Sequence, residues 1–346
     1  YGPYTTAQLV AANLLFNHIA LYHTPLAGQR HGRQASLLGQ PQPAGDATPY
    51  RNYVARARLG VSEGEHEQFF RGVLGDINEP TLPFGLQDVR GDGNAIEEVQ
   101  LKLAPTLNQR LRTQARLLGV SAASLFHLAW ARVLASTSGQ ENVVFGTVLL
   151  GRMQGGKGSD RALGMFINTL PLRVDIDGSG VRVAVKQTHA RLTALLGHEH
   201  ASLALAQRCS GVPTSTPLFS ALLNYRHSTP GEMARDGHGI WEGVQLLGGE
   251  ERSNYPLTLS VDDLGEGFGL TVLALPQIGA QRMCGYMHNA VEQLVETLEN
   301  APKTVLTQLP ILPTAERETL LREFNATASD FPKGHTVHGA FEVQAE

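Results

Sequence analysis

NVVFGTVLLGRMQGGKGSDRALGMFINTLPLR, residues Asn142 to Arg173, reads as a strand, a glycine-rich loop and a second strand. Val143, Val144, Phe145, Val148, Leu149 and Leu150 form a nearly unbroken apolar run, the pattern of a strand buried on both faces. Ile167 to Val174 repeats that pattern. Between them lies Gly151-Arg152-Met153-Gln154-Gly155-Gly156-Lys157-Gly158, whose glycines permit positive φ and the close approach of another backbone or a ligand. A loop held between two buried strands is a favoured place for function.

The loop fits most of the phosphate-binding pattern G-x-x-x-x-G-K-[ST] through Gly151, Gly156 and Lys157. Two features argue against a phosphate cradle. Gly158 stands where a hydroxyl should hold magnesium, and a strand follows where the motif needs a helix N-terminus.

Outward from this stretch the pattern alternates between helix and strand. Residues 1–24 carry an apolar helical period, and Pro25 to Ala47 reads as loop. Ser62-Glu63-Gly64-Glu65 opens a helix whose buried stripe is Phe69, Phe70, Val73 and Leu74. Glu79 to Gly93 reads as an extended loop from its Pro and Gly spacing. Ala95 to Leu103 alternates as a strand. Two helices follow, Pro105 to Leu118 and Ser121 to Ser136, with Pro105 suited to a first turn and Gly119 to a helix end. The second is apolar on most sides. Its His127 is expected to be a core or groove histidine, since no carboxylate at helical spacing orients it.

Downstream, Gly180 to Leu196 is an amphipathic helix, and His198-Glu199-His200 follows it. Two histidines at that spacing could ligate a metal, but no third ligand stands at a sensible distance, and a solvated turn before a helix Ala201 to Cys209 is the plainer reading. Pro217 to Tyr225 is a strand, and His227 to Gly239 a polar loop. Tyr255 to Ala274 is a hairpin turning at Asp263 to Gly267. Gln281 to Leu298 places Met283, Met287, Ala290, Leu294 and Leu298 on one helix face. Pro302, Pro310 and Pro313 punctuate a linker, and a short charged helix from Thr314 ends near Phe324.

The chain has 346 residues, 42% of them hydrophobic and 17% charged, with a net charge of -4. That length is ample for two lobes or one large domain. The charge offers no footprint for nucleic acid. Cys209 and Cys284 are too few for a disulfide framework or a thiolate metal site, and a reduced, cytoplasmic setting is expected. No run of 18 apolar residues and no signal peptide is found, so membrane and export roles are not expected. The absence of an initial Met leads us to expect a piece of a longer polypeptide.

GTVLLGR (Gly146 to Arg152) and LGMFINTLPLR (Leu163 to Arg173) resemble two consecutive core motifs of the condensation domains of non-ribosomal peptide synthetases. Pro49 to Arg58 resembles the segment linking the two lobes of such domains. Glu79 to Gly93 and His198 to Gly211 look most like the subgroup that couples epimerisation to condensation. Pro217 to Ser228 and Ser253 to Val261 resemble later motifs, and the stretch from Ile311 onward looks like the linker into an adenylation domain. The order of these matches is more specific than any one of them.

The resemblance implies an α/β fold, a chloramphenicol acetyltransferase-like lobe of mixed sheet with packed helices. It divides the chain into residues 1–48, a remnant of the N-terminal lobe; 49–300, the C-terminal lobe; and 301–346, the linker and start of an adenylation domain. In the family, the amine of an acceptor aminoacyl thioester attacks a donor thioester, both presented on phosphopantetheine by carrier proteins. The second histidine of HHxxxDG manages the proton. No two histidines are adjacent in this sequence, so no catalytic residue, bound cofactor or metal is assigned, and the chain alone is expected to be inactive. The implied partners are carrier proteins, a downstream adenylation domain and an upstream N-terminal lobe.

By resemblance, Asn168 and Thr169 flank the tunnel, where an amide could orient a thioester or pantetheine group, or they satisfy local backbone as strand residues. Asn224, in the later motif, is a further tunnel candidate. Arg152 resembles the arginine that pairs with the motif's aspartate, and Gly146, Gly164 and Arg173 read as architectural. The expected function is therefore condensation within a synthetase. A non-catalytic carrier-docking module is the alternative, and a free-standing acetyl-coenzyme A acyltransferase ranks below both.

Overall fold

The computed structural model describes residues 50–89, 91, 93, 95–151, 164–227, 251–265, 267–328 and 336–345. The expectations for residues 1–48, for most of the loops 151–163 and 227–239, and for Arg152 lie outside the described residues. Two compact units divide the chain, Tyr1–Ile311 and Leu312–Glu346.

In the first unit, α1 (Arg51–Leu59) and α2 (Glu63–Leu74) precede β1 (Glu97–Lys102), α3 (Pro105–Leu118), α4 (Ala122–Ser138), β2 (Asn142–Leu149) and β3 (Asn168–Asp175). Then come α5 (Val181–Leu196), α6 (Leu203–Arg208), β4 (Ala221–His227), β5 (Leu257–Asp263), β6 (Phe268–Ala274) and α7 (Ala280–Asn300). The strands form one mixed sheet in the order β1-β6-β5-β4-β2-β3. β4 runs parallel to both β2 and β5, while the remaining pairs are antiparallel.

Local chemistry sets the helix ends. Ser62 accepts from the Glu65 amide while the Glu65 carboxylate takes the Ser62 amide, a reciprocal cap on α2. Pro105 opens α3, and Gly119 closes it at φ 68°, a conformation glycine adopts without penalty. Ser121 caps α4 through the Ser124 amide.

Strand alternation separates the sheet's two faces. Val99, Val272, Leu259, Leu223, Thr147 and Leu170 stand in one cross-strand row. This face carries the core, under α3, α4, α5 and α7. His127 on α4 fixes the assignment, because its Nε2 meets Thr147 Oγ1 at 2.8 Å. Trp130, Phe126, Phe145 and the stripe Met283, Met287, Leu294 of α7 are buried. Each large apolar side chain removed from water contributes roughly 1.5–3 kcal/mol before entropy is charged against it.

Several expectations shift. Phe69 and Val73 are half-buried, and His66 takes a buried place on α2 with Phe70 and Leu74. The segment from Glu79 is not featureless: Thr81 bridges Phe219, and Pro83–Gly85 makes a 3-10 turn. The compact body also continues past residue 300. Val181 N donates to Thr304 O at 2.9 Å, Gly180 bridges Val305, and Leu306, Leu309 and Ile311 are buried. Proline punctuation here marks a packed, turning segment.

The second unit holds α8 (Thr314–Glu318), a π turn at Thr319–Glu323 and α9 (Val337–Ala345). Leu321 and Phe324 are exposed on it. Among the described residues, no single helix is long and apolar enough to cross a membrane.

Candidate functional site

The face opposite the core carries the polar residues. Gln100, Thr271, Ser260 and Asn224 are register partners from β1 through β6, β5 and β4. Val148 follows on β2, one residue beyond the Thr147–Leu223 pair, and Thr169 lies opposite Val148 on β3. The next row holds Lys102, Gly269, Asp262 and Arg226. This end of the sheet is where the parallel strands β2, β4 and β5 finish, the position at which open α/β sheets bind ligands.

Ser260 is 1% exposed, yet its hydroxyl has no hydrogen-bond partner among the described residues. Buried polar groups without partners are uncommon in folded proteins, because each forfeits its hydration. Asn224 is half-buried and Thr271 buried beside it. Arg226 and Asp262, by contrast, are engaged with one another. Arg226 pairs with Asp262 through Nε at 2.7 Å and Nη2 at 3.0 Å, and with Glu251 at 3.1 Å.

Around the strand ends, on the core side, Asp263 accepts from Arg112 at 2.5 Å, from Tyr225 OH at 2.7 Å and from the Gly265 amide at 3.1 Å. Burial pushes its carboxyl upward, but the Arg112 and Tyr225 hydrogen bonds outweigh it and hold the group below its usual range. The same burial, reinforced by Asp263, raises the Tyr225 phenol. A carboxylate so engaged braces α3 against β4 and β5.

The sequence-predicted residues separate. Asn224 and Thr169 share the polar face and one row. Asn168, one residue earlier, points to the other face, because adjacent strand residues alternate. Its Nδ2 donates to Glu199 O at 2.9 Å and Ala201 O at 2.7 Å, and its Oδ1 accepts from the Thr169 amide at 2.9 Å. These bonds favour the backbone-satisfying reading of Asn168.

Gly146, Gly164 and Arg173 hold architecture. A Cβ on Gly146 would lie 2.3 Å from Leu222 Cδ2 and 2.5 Å from the Phe219 ring, and one on Gly164 would lie 2.0 Å from the Tyr50 ring. Arg173 ties β3 to α2: it pairs with Asp76, with Asp175 at 2.7 Å, and donates to Val73 O at 2.9 Å.

His198-Glu199-His200 is not a solvated turn. The Glu199 side chain is fully buried, and only 9% of the His200 side chain is exposed. Tyr53 OH meets His200 Nδ1 at 3.3 Å, and His198 stacks on Phe69 with centroids 4.0 Å apart. Aromatic residues of α1 and α2 capture the turn, a contact that local composition does not disclose. Among the described residues, no group of three or more His, Cys, Asp or Glu is placed to hold a metal ion. His127 is the core histidine expected: its Nδ1 donates to Ala123 O at 2.7 Å, and burial lowers its pKa to about 4.

Ser260 and Thr271 were not singled out by the sequence. The signal was present in Leu257-Thr258-Leu259-Ser260-Val261-Asp262, which alternates strictly between apolar and polar.

With the geometry described, the chain can be set beside known proteins. A family model described as condensation domain matches residues 32–321. Malpinin synthetase of Mortierella alpina is 51% identical over the whole of this chain, which covers 4% of that protein's length. A linear gramicidin synthase of Brevibacillus parabrevis is 28% identical over 89% of the chain, which covers 6% of it. The chain thus spans a small fraction of these relatives. Among solved structures, the first condensation domain of the calcium-dependent antibiotic synthetase, in complex with a substrate analogue, superposes with a TM-score of 0.61 at 19% identity. That match covers 85% of this chain and 64% of the other. The X-domain from teicoplanin biosynthesis gives 0.61 at 17% identity, covering 85% and 68%. The fold is the chloramphenicol acetyltransferase-like one expected.

Proposed function

The chain belongs to the condensation-domain family, and we propose that it walls the channel in which a peptide synthetase joins two carrier-bound thioesters through an amide bond. The observation that carries this reading is the polar row on the sheet's far face, where Ser260 presents a buried, unpaired hydroxyl between Asn224 and Thr271. An acceptor amine attacking a thioester needs little activation, because the thioester is already reactive. It needs alignment and a place for the departing proton. Side-chain amides and hydroxyls along one row supply the first requirement.

The second requirement points outside these residues. No adjacent histidines occur in the sequence. His127 is spent on Ala123 and Thr147, with its imidazole held neutral by burial. We therefore assign proton handling to an imidazole from a neighbouring lobe, and phosphopantetheine to carrier proteins. The names and lengths of the relatives support a larger synthetase with carrier and adenylation partners. A cytoplasmic setting goes with this reading, supported by two free, buried cysteines.

A docking module without chemistry of its own is the second reading, favoured by the same absence of a committed imidazole. The two separate in a single-turnover assay on the full polypeptide bearing this chain, with loaded donor and acceptor carriers. The channel reading expects amide product that falls at least about tenfold in Asn224→Ala, the loss of one positioning contact in the transition state. Carrier binding with no amide product at any time would favour docking.

A further inference from the structure

His66 and His198 meet nitrogen to nitrogen, with Nδ1···Nδ1 at 2.9 Å and ring centroids 5.1 Å apart at 67°. His66 is buried on α2, and His198 lies in the turn leaving α5, where it also stacks on Phe69. Imidazole chemistry limits the protons such a contact admits. Two nitrogens at hydrogen-bonding distance need one hydrogen between them, so one ring donates from Nδ1 and the other accepts there. An added proton goes to the free Nε2 of the donor ring, and the bond becomes charge-assisted. A second would have to occupy the accepting nitrogen. It would destroy the bond and set two cations face to face.

We propose that the His66–His198 pair is a one-proton junction between α2 and the turn after α5, closed with no added proton or one and opened by the second. The surrounding charges fit this behaviour. From α2, Glu63 and Glu65 favour the first proton, though Glu65 is engaged by the Ser62 cap and Arg208 of α6 lies 3.9 Å from Glu63. From the turn itself come Glu199 and His200, with Tyr53 of α1 on His200. Cys209, after α6, faces α2 through Glu67 O at 3.6 Å. Burial, and then the charges of His198 and His200, hold the His66 imidazole below its ordinary pKa. Burial does the same for His198. Opening would leave the turn to the Asn168 bonds and the Tyr53–His200 contact.

Nitrogen-detected NMR titration of the full chain from about pH 8 to about pH 4 tests the junction. Two separated steps are expected for the pair, His198 first, with the His66 midpoint rising by about one pH unit in His198→Gln. A single step shared by both rings in the parent protein would overturn the proposal, as would a His66 midpoint unmoved in His198→Gln. The parent titration decides the matter by itself where the variant does not fold.

Discussion

The Asn168 side chain donates to the Ala201 carbonyl at 2.7 Å, across 33 residues of sequence, and so pins the turn after α5 to the first residue of β3. With Glu199 O and the Thr169 amide also engaged, both donors of the side chain are committed to backbone. Asn168→Ala should lower stability by about 2–3 kcal/mol, since each bond contributes about 1 kcal/mol net and the freed carbonyls lose their partner. Urea unfolding reads this directly. A parental midpoint combined with slowed condensation would return Asn168 to the channel.

Ser260 should behave in the opposite way. Replacing an unpaired buried hydroxyl by hydrogen removes an uncompensated desolvation cost, so Ser260→Ala is expected to match or exceed the parent in stability, by up to about 1 kcal/mol. Condensation in the full polypeptide should nonetheless slow. A destabilised Ser260→Ala with unchanged turnover would show that the hydroxyl serves the fold.

Gly146 sits where β2 passes under Leu222 and Phe219. The side chain added in Gly146→Ala must displace both, at about 1–3 kcal/mol for an overpacked core. Pairing it with Phe219→Leu should recover part of the loss in the same unfolding measurement. If Gly146→Ala alone unfolds at the parental midpoint, the close approach is not a constraint.

His127 makes stability depend on acidity. Its folded pKa, about 4, lies below the ordinary value of 6.5, so the unfolded chain takes the proton first as pH falls. Stability is then full above about pH 6.5 and is lost as pH falls toward about 4, by roughly 3 kcal/mol for this residue. Urea midpoints against pH check the sign and the window. In His127→Gln the slope over that window should flatten, leaving the smaller share of His66 and His198.

Local chemistry made much of the fold legible. Pro105 and Gly119 bracket α3 because one lacks an amide that the first turn does not use and the other adopts the left-handed end. The hairpin of β5 and β6 followed from alternation and a glycine-rich turn. The parallel placement of β4 between β2 and β5 did not, since it depends on crossovers far apart in sequence. The capture of His198 and His200 by Phe69 and Tyr53 was hidden for the same reason. Asn168 and Thr169 were grouped by motif, although period-two alternation already sends them to opposite faces. Ser260 needed knowledge of which face the helices cover.

The most direct test of the channel reading is amide formation measured in a single turnover, with loaded donor and acceptor carriers, for the full polypeptide bearing this chain and for the isolated 346 residues. Product from the full polypeptide, at least about tenfold slower in Asn224→Ala, and none from the isolated chain is the expected result. Amide formed by the isolated chain, or a parental rate in Asn224→Ala, would contradict it.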